Sequence, residues 1–235
     1  MLSMGDSELV WARRPREVRR PALSVERIVR VAIATADADG LDALSMRRMA
    51  TDLGSGTTSL YRYVTNRDEL VDLMTDSVLG EEPPEPLTGD WRTDLRAVAT
   101  RQRVGILRHP WLGAVMTTRP ALGPNALRAV DLALTAAAGL TPDITVAADI
   151  IALIGNYVFG AASQELAERE AQRRTGQTEE QWRASVGPYI RQVIEGGGYP
   201  QFARQVIEAE DRTFAERFEF GLACLLDGIG ARCRP

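Results

Sequence analysis

Between Thr57 and Tyr63 the chain reads Thr-Thr-Ser-Leu-Tyr-Arg-Tyr, and every side chain in it except Leu60 carries a hydroxyl or a guanidinium. Read as a helix, Thr57 to Val64 turns Leu60 and Val64 to one side and leaves Thr57, Thr58, Ser59, Tyr61, Arg62 and Tyr63 on the other. Short hydroxyl side chains approach base edges and thymine methyl groups, while tyrosine hydroxyls and guanidinium groups reach phosphate oxygens. The free N–H groups of a helix start favour the same anion. Arg47 and Arg48 project from the start of a preceding short helix and Arg67 from the start of a following one. A merely solvated helical face would carry mixed acidic and basic pairs. Here Asp52 is the only acid between residues 43 and 67, against four arginines. The chemistry expected of this face is contact with a polyanion such as double-stranded DNA.

The elements needed to hold such a face are legible around it. Ser24 caps a helix in which Val25, Ile28, Val29, Ala32 and Ala36 recur at three- and four-residue steps, and Gly40 stops it. Ser45 caps a short second helix with Met46, Met49, Ala50 and Leu53 inward, ended by Gly54. After Gly54-Ser55-Gly56 comes the polar helix. Two short helices across a glycine-containing turn, with a longer helix packed on them, make the helix-turn-helix pattern. Asn66-Arg67-Asp68-Glu69 offers an Asn-x-x-Glu capping box for a fourth helix carrying Leu70, Val71, Leu73, Met74 and Val78.

Charge is distributed to match. Residues 1–67 hold eleven arginines and eight acids, and the remainder holds seventeen arginines and twenty-four acids, within a net charge of −4. A basic end on an acidic body is a hint of nucleic-acid binding. Every basic residue is arginine, which suits phosphate and guanine edges, although GC-biased codon usage gives the same outcome. Arg13, Arg14, Arg16, Arg19 and Arg20 form a basic arm within residues 1–23. The Pro-rich acidic stretch at residues 80–89 reads as a linker, with further helices over residues 90–235. No segment sustains a period of two, so the fold class expected is all-α, with five or six helices after the linker.

Several functions lose their chemistry at once. His109 is the only histidine, which argues against histidine metal sites and leaves a catalytic triad one possible base. No paired carboxylates, nucleophile with a base or Gly-rich phosphate loop is present, so neither an enzyme nor a cofactor is called for. The longest uncharged apolar run, Ile150 to Gln164, is shorter than the ~20 residues of a membrane span. With no apolar signal segment at the N-terminus, a cytoplasmic protein is expected.

The stretch Gly40-Leu41-Asp42-Ala43-Leu44-Ser45-Met46-Arg47-Arg48-Met49-Ala50, then Leu53-Gly54, Ser59-Leu60-Tyr61-Arg62-Tyr63-Val64 and Asn66-Arg67-Asp68-Glu69-Leu70 resembles the N-terminal DNA-binding domain of TetR-family transcriptional regulators. The resemblance covers residues 24–79. It implies a homodimeric repressor whose third helix enters the major groove and whose C-terminal helices bind a small-molecule effector and dimerise. By position, Arg47 and Ser59 match base-contacting places, Thr57 and Thr58 open the reading helix, and Tyr61, Tyr63 and Arg67 match phosphate clamps. The chain departs from the family at Tyr63, where histidine is common, and at Gly56, where a Ser or Thr cap is common. Through Trp91, His109-Pro110-Trp111, the helix around Asn156 and Tyr199-Pro200, the remainder is similar to the tetracycline-repressor type of C-terminal domain.

In that remainder, Ala147, Ile150, Ile151, Ile154, Val158, Ala161 and Ala162 form one long apolar stripe. Phe214, Phe218, Leu222, Leu225 and Ile229 form a second, in a helix from Asp211. Two such helices meeting their symmetry mates would build a four-helix dimer interface; ordinary monomer core is the alternative. Trp111, Met116, Phe159 and Phe202 could line a ligand cavity, and Asn156 reads as a lone amide inside an apolar helix. His109 before Pro110 reads as a helix start, Cys224 as a buried small hydrophobe and Cys233 as a tail thiol. The leading function is a ligand-responsive DNA-binding regulator. The alternative is a small-molecule-binding helical protein with vestigial DNA binding.

Overall fold

The computed structural model describes residues 23–116 and 121–233, and all regular structure among them is helical. The basic arm at residues 13–20 lies outside the described residues. The N-terminal unit comprises α1 (Val25–Asp39), a single 3₁₀ turn (Leu41–Ala43), α2 (Met46–Asp52), α3 (Thr57–Leu60) and α4 (Arg67–Leu79). After it come α5 (Trp91–Arg108), α6 (Pro110–Met116), α7 (Pro124–Ala138), α8 (Ile144–Thr175), α9 (Glu179–Glu195), α10 (Pro200–Glu208) and α11 (Phe214–Cys233).

Among the described residues seven helices thus follow the linker rather than five or six, because two breaks lack a strong glycine signal. Pro110 has no N–H to continue α5 and disfavours helical backbone at His109, which adopts φ −122° and ψ 83°. The second break precedes α11, which begins at Phe214 and not at Asp211. Thr213 and Glu216 close a reciprocal cap there: Glu216 N–H donates to Thr213 Oγ1 at 3.2 Å and Thr213 N–H to the Glu216 carboxylate at 2.7 Å.

The N-terminal unit closes on Ile28 and Ala32 of α1, Met49 of α2, Leu60 after the turn, and Leu70 and Met74 of α4, all fully buried. In the larger body α8 is the central helix, packed by α5, α7 and α11. Its buried stripe is Ala147, Ile150, Ile154, Val158 and Ala162, with Ile151 and Ala161 only half-buried. On α11 the buried set is Phe218, Leu222, Leu226 and Ile229, so Leu226 takes the place expected of Leu225. By length and composition alone, α8 is apolar enough to cross a membrane, but one of its faces forms this core. α9 and α10 bury none of their residues and pack on each other.

The Pro-rich stretch between α4 and α5 is held at both ends. Arg101 of α5 donates to the carbonyls of Leu79 and Glu82 at 2.8 and 2.6 Å. Asp94, buried on α5, accepts from the Thr88 N–H and hydroxyl, each at 2.8 Å, and from the Gly89 N–H at 3.1 Å.

Candidate nucleic-acid interface

The polar face is built by a capped helix, a glycine turn and a second short helix. Ser45 Oγ accepts from Arg48 N–H at 3.2 Å and starts α2, and after α2 the chain reverses through Gly54 at φ +63°. No side chain caps α3, whose N-cap is Gly56. The expected helix from Thr57 to Val64 is shorter in fact: α3 ends at Leu60, and Tyr63 and Val64 both donate to the Leu60 carbonyl, at 2.9 and 3.1 Å. That tightened turn still brings Val64 into the core beside Leu60. Thr57, Thr58, Ser59, Tyr61 and Tyr63 are all weak helix formers, so little holds the helix beyond Leu60, and the turn leaves Tyr61 and Tyr63 exposed.

Thr57, Thr58, Ser59, Tyr61, Arg62 and Tyr63 are all exposed, as is Arg47 of α2. Among the described residues no hydrogen bond or ion pair holds the Arg47 or Arg62 guanidinium. Arg48 differs. It pairs with Asp39 at 2.5 Å and with Asp52 at 3.6 Å, so the one acid beside the face is engaged and Arg48 ties α2 to the end of α1. Arg67 differs again, because its Nε donates to the Leu44 carbonyl at 3.2 Å and its Nη2 to the Leu41 carbonyl at 2.7 Å. Half-buried in this way, it fastens α4 to the 3₁₀ turn. Asn66 caps α4 by accepting from Glu69 N–H at 2.8 Å, whereas the Glu69 carboxylate returns to Thr65 N–H at 2.6 Å, one residue before the expected box partner. Hydrogen bonding from Thr65 holds the Glu69 carboxyl below its ordinary range.

The geometry is that of a short helix presented by a rigid unit, with hydroxyls and guanidinium groups outward and no free acid among them. Comparison with known proteins decides its lineage. Residues 83–233 match the family described as tetracyclin repressor-like, C-terminal domain. The chain belongs to the TetR family of transcriptional regulators. It is 44% identical over 229 residues to the HTH-type transcriptional repressor DrrR1 of Streptomyces coeruleorubidus, covering 94% of this chain and 83% of that one. It is 34% identical over 233 residues to an HTH-type transcriptional regulator of Saccharopolyspora erythraea, covering 97% of this chain and 94% of that one. Among solved structures, ActR of Streptomyces coelicolor in complex with actinorhodin superposes with a TM-score of 0.74 at 31% identity, over 91% of this chain and all of that one. The family is one of regulators, not enzymes.

In this TetR-family chain the pocket candidates separate. Trp111 of α6 is buried, and Phe159 of α8 is half-buried against α6, where a methyl added at Gly113 would come within 3.0 Å of its ring. Met116 lies at the exposed end of α6. Asn156, expected as a buried amide, is exposed, because on α8 it points away from the Ile154 and Val158 side that packs on the core. Phe202 is exposed on α10. Cys224 is likewise exposed, and Cys233 packs against the core. Beside α6, Leu107, Pro110, Leu166, Arg169, Gln172 and Arg173 line an open groove of roughly 520 Å³. A second groove, of roughly 410 Å³, runs between α8 and α11 past Leu153, Leu225 and Cys224.

Residues that bind the two units together escaped the sequence reading. Asp37 of α1 accepts from Trp111 Nε1 at 2.7 Å and faces His109 Nδ1 at 2.9 Å. One signal was present. Asp37 and Asp39 stand in the last turn of α1, where the helix dipole disfavours acids and no base lies in that turn, so each needed a donor from elsewhere.

Proposed function

We propose that this protein is a cytoplasmic transcriptional repressor that binds a palindromic DNA operator as a homodimer and is released by a small-molecule effector. The observation that carries the reading is the exposed set Arg47, Thr57, Thr58, Ser59, Tyr61, Arg62 and Tyr63, mounted on a unit that Arg48 and Arg67 stiffen from behind. Residues 24–79 serve as the DNA-binding domain with α4 as connector, residues 80–89 as the link, and residues 90–235 as the effector and dimerisation domain. The arm of residues 1–23 adds contacts to the phosphate backbone or a minor groove.

Dimerisation falls to α8 and α11. Their outer faces expose Leu153, which lines the apolar groove, and Phe220 of α11, and such faces bury well against a symmetry-related copy. Effector binding falls to the α6 neighbourhood, with Trp111, Met116 and Phe159. The structure of ActR with actinorhodin supports that class of response and makes actinorhodin the first compound to try.

The deciding experiment is fluorescence anisotropy on DNA from upstream of the protein's own gene, beside a scrambled duplex of equal length. Specific binding at moderate salt, with one dimer per site, is expected. Equal binding to both duplexes, or none, would instead favour a helical ligand-binding protein whose DNA binding is vestigial. Leu153→Glu should yield monomers by sedimentation and lose operator binding together.

A further inference from the structure

His109, the only histidine of the chain, is buried where the N-terminal unit meets the larger body. Its Nδ1 faces both carboxylate oxygens of Asp37, on α1, at 2.9 and 3.0 Å. Its Nε2 faces Glu81, just beyond α4, at 3.2 Å. A carboxylate only accepts, and a neutral imidazole has a single N–H, so both bonds form together only when the ring carries a proton on each nitrogen. The neighbouring charges are Arg108 of α5, which shares the Glu81 oxygen at 3.3 Å and holds Glu82 at 2.6 Å, and Asp39 of α1, which is taken by Arg48. α6 itself carries no charged residue, and its Trp111 adds the second bond to Asp37.

We propose that His109 is the residue that positions the DNA-binding domain on the C-terminal body. Its ring, clamped between Asp37 and Glu81, sets the angle of α1 and hence of the α2–α3 reading unit. The clamp sits on Pro110 and Trp111, the first turn of α6, and Pro110 also lines the open groove. Any displacement of α6 therefore reaches α1 through two side chains, by a route separate from the covalent connection through α4. This deepens the reading of α2–α3 as a DNA face and of α6 as the effector side, yet the geometric claim is testable without DNA or effector.

The test uses the full chain with Cys224→Ser and Cys233→Ser and spin labels at Arg30→Cys on α1 and Asp131→Cys on α7, both exposed. Dilution into excess unlabelled chain isolates the distance within one protomer, which is read by pulsed electron spin resonance. The unaltered junction should give one narrow distance distribution. His109→Gln and Asp37→Asn should each broaden it, and the double variant should broaden it no further, since both remove the same link. Asp39→Asn, which cuts a pair inside the N-terminal unit, should leave it unchanged. Should His109→Gln lose helical content, Glu81→Gln, at the more exposed end of the clamp, carries the same expectation. An unchanged width in a folded Asp37→Asn or Glu81→Gln variant, or equal broadening in Asp39→Asn, overturns the proposal.

Discussion

Asp76, on α4, accepts the backbone N–H groups of Asn125 and Ala126 at 2.8 and 3.0 Å and so caps a helix to which it does not belong. α7 starts at Gly123-Pro124 with no side-chain cap of its own, and these N–H groups are the ones an N-cap side chain normally satisfies. Asn125 returns the contact through its amide to the Asp76 carbonyl at 3.1 Å. Asp76→Ala should cost about 1–2 kcal/mol by urea denaturation, the usual value of a lost cap, and Asp76→Asn less because one acceptor remains. A loss within error for Asp76→Ala would mean that water replaces the cap without cost.

On the DNA face, variants should sort by what each guanidinium or hydroxyl touches. Arg47→Ala should cost about 1–3 kcal/mol of operator affinity and relax base preference, while Tyr61→Phe should weaken cognate and scrambled duplexes alike. Arg67→Ala should act mainly on folding, because it abandons the carbonyls of Leu41 and Leu44; a loss of about 1–3 kcal/mol in chemical denaturation is expected. Anisotropy titrations beside melts of the same samples make the comparison. Arg67→Ala with unchanged stability and weakened binding would move it to the phosphate contacts.

Two glycines at helix starts should respond oppositely to the same change. Gly56 has extended backbone, φ −80° and ψ 147°, and open space around a built Cβ, so Gly56→Ser supplies the absent cap of α3. A gain of a few tenths of a kcal/mol, roughly the difference between glycine and serine caps, is expected, with tighter operator binding from a better ordered reading helix. Gly123→Ser adds a cap-forming residue too, but its Cβ would run into the Asp76 carboxylate, and stability should fall. A stabilising Gly123→Ser would show that Asp76 moves aside freely.

Why some of this was readable in advance and some was not follows from particular residues. Ser24, Ser45 and Asn66 announce three helix starts because each accepts a backbone N–H three residues ahead, a local relationship. The inward sides of α1 and α4 stand out because polar residues occupy the opposite sides. α8 has less contrast: from Ile150 to Gln164 it is uncharged all round, so periodicity finds Ile150, Ile154 and Val158 but also draws in the half-buried Ile151 and Ala161, and it leaves the exposure of Asn156 unread. His109 was readable as the neighbour of a helix start. Its partners were not, since Asp37 and Glu81 lie 72 and 28 residues away and nothing local requires them. The same holds for Asp76 and Asn125, which are 49 residues apart.

Acid should loosen the connection between α4 and α5. The Thr88 N–H, followed by the Thr88 hydroxyl and the Gly89 N–H, holds the Asp94 carboxyl below its ordinary value, with burial opposing. A carboxyl depressed in the folded state adds stability that is fully present above its unfolded value and lost as pH falls through the folded one. Asp94→Asn should therefore be less stable than the parent at neutral pH, and the gap should close as the solution is acidified. Urea midpoints of both proteins across an acid series measure this. A gap that stays constant with pH would show that Asp94 acts through shape alone.

The remaining prediction concerns the switch itself. α4 begins two residues after Thr65, close behind the reading turn, and its far end carries Asp76 against α7, while Arg101 of α5 holds its last carbonyl. A shift of α7 or α5 around a bound effector must therefore move the far end of α4, and with it the spacing between the two α3 helices of a dimer. Operator affinity should fall by a coupling free energy on the order of 1–3 kcal/mol. Linkage then requires operator DNA to weaken effector binding by the same factor, whatever path the motion takes. With actinorhodin as the first compound, its dissociation constant should be measured by fluorescence with and without saturating operator. Asp76→Ala should shrink the ratio of the two constants, because it cuts the α4–α7 contact. A ratio of one in the parent protein would show that actinorhodin does not switch this regulator, and a ratio untouched by Asp76→Ala would place the coupling elsewhere than α4.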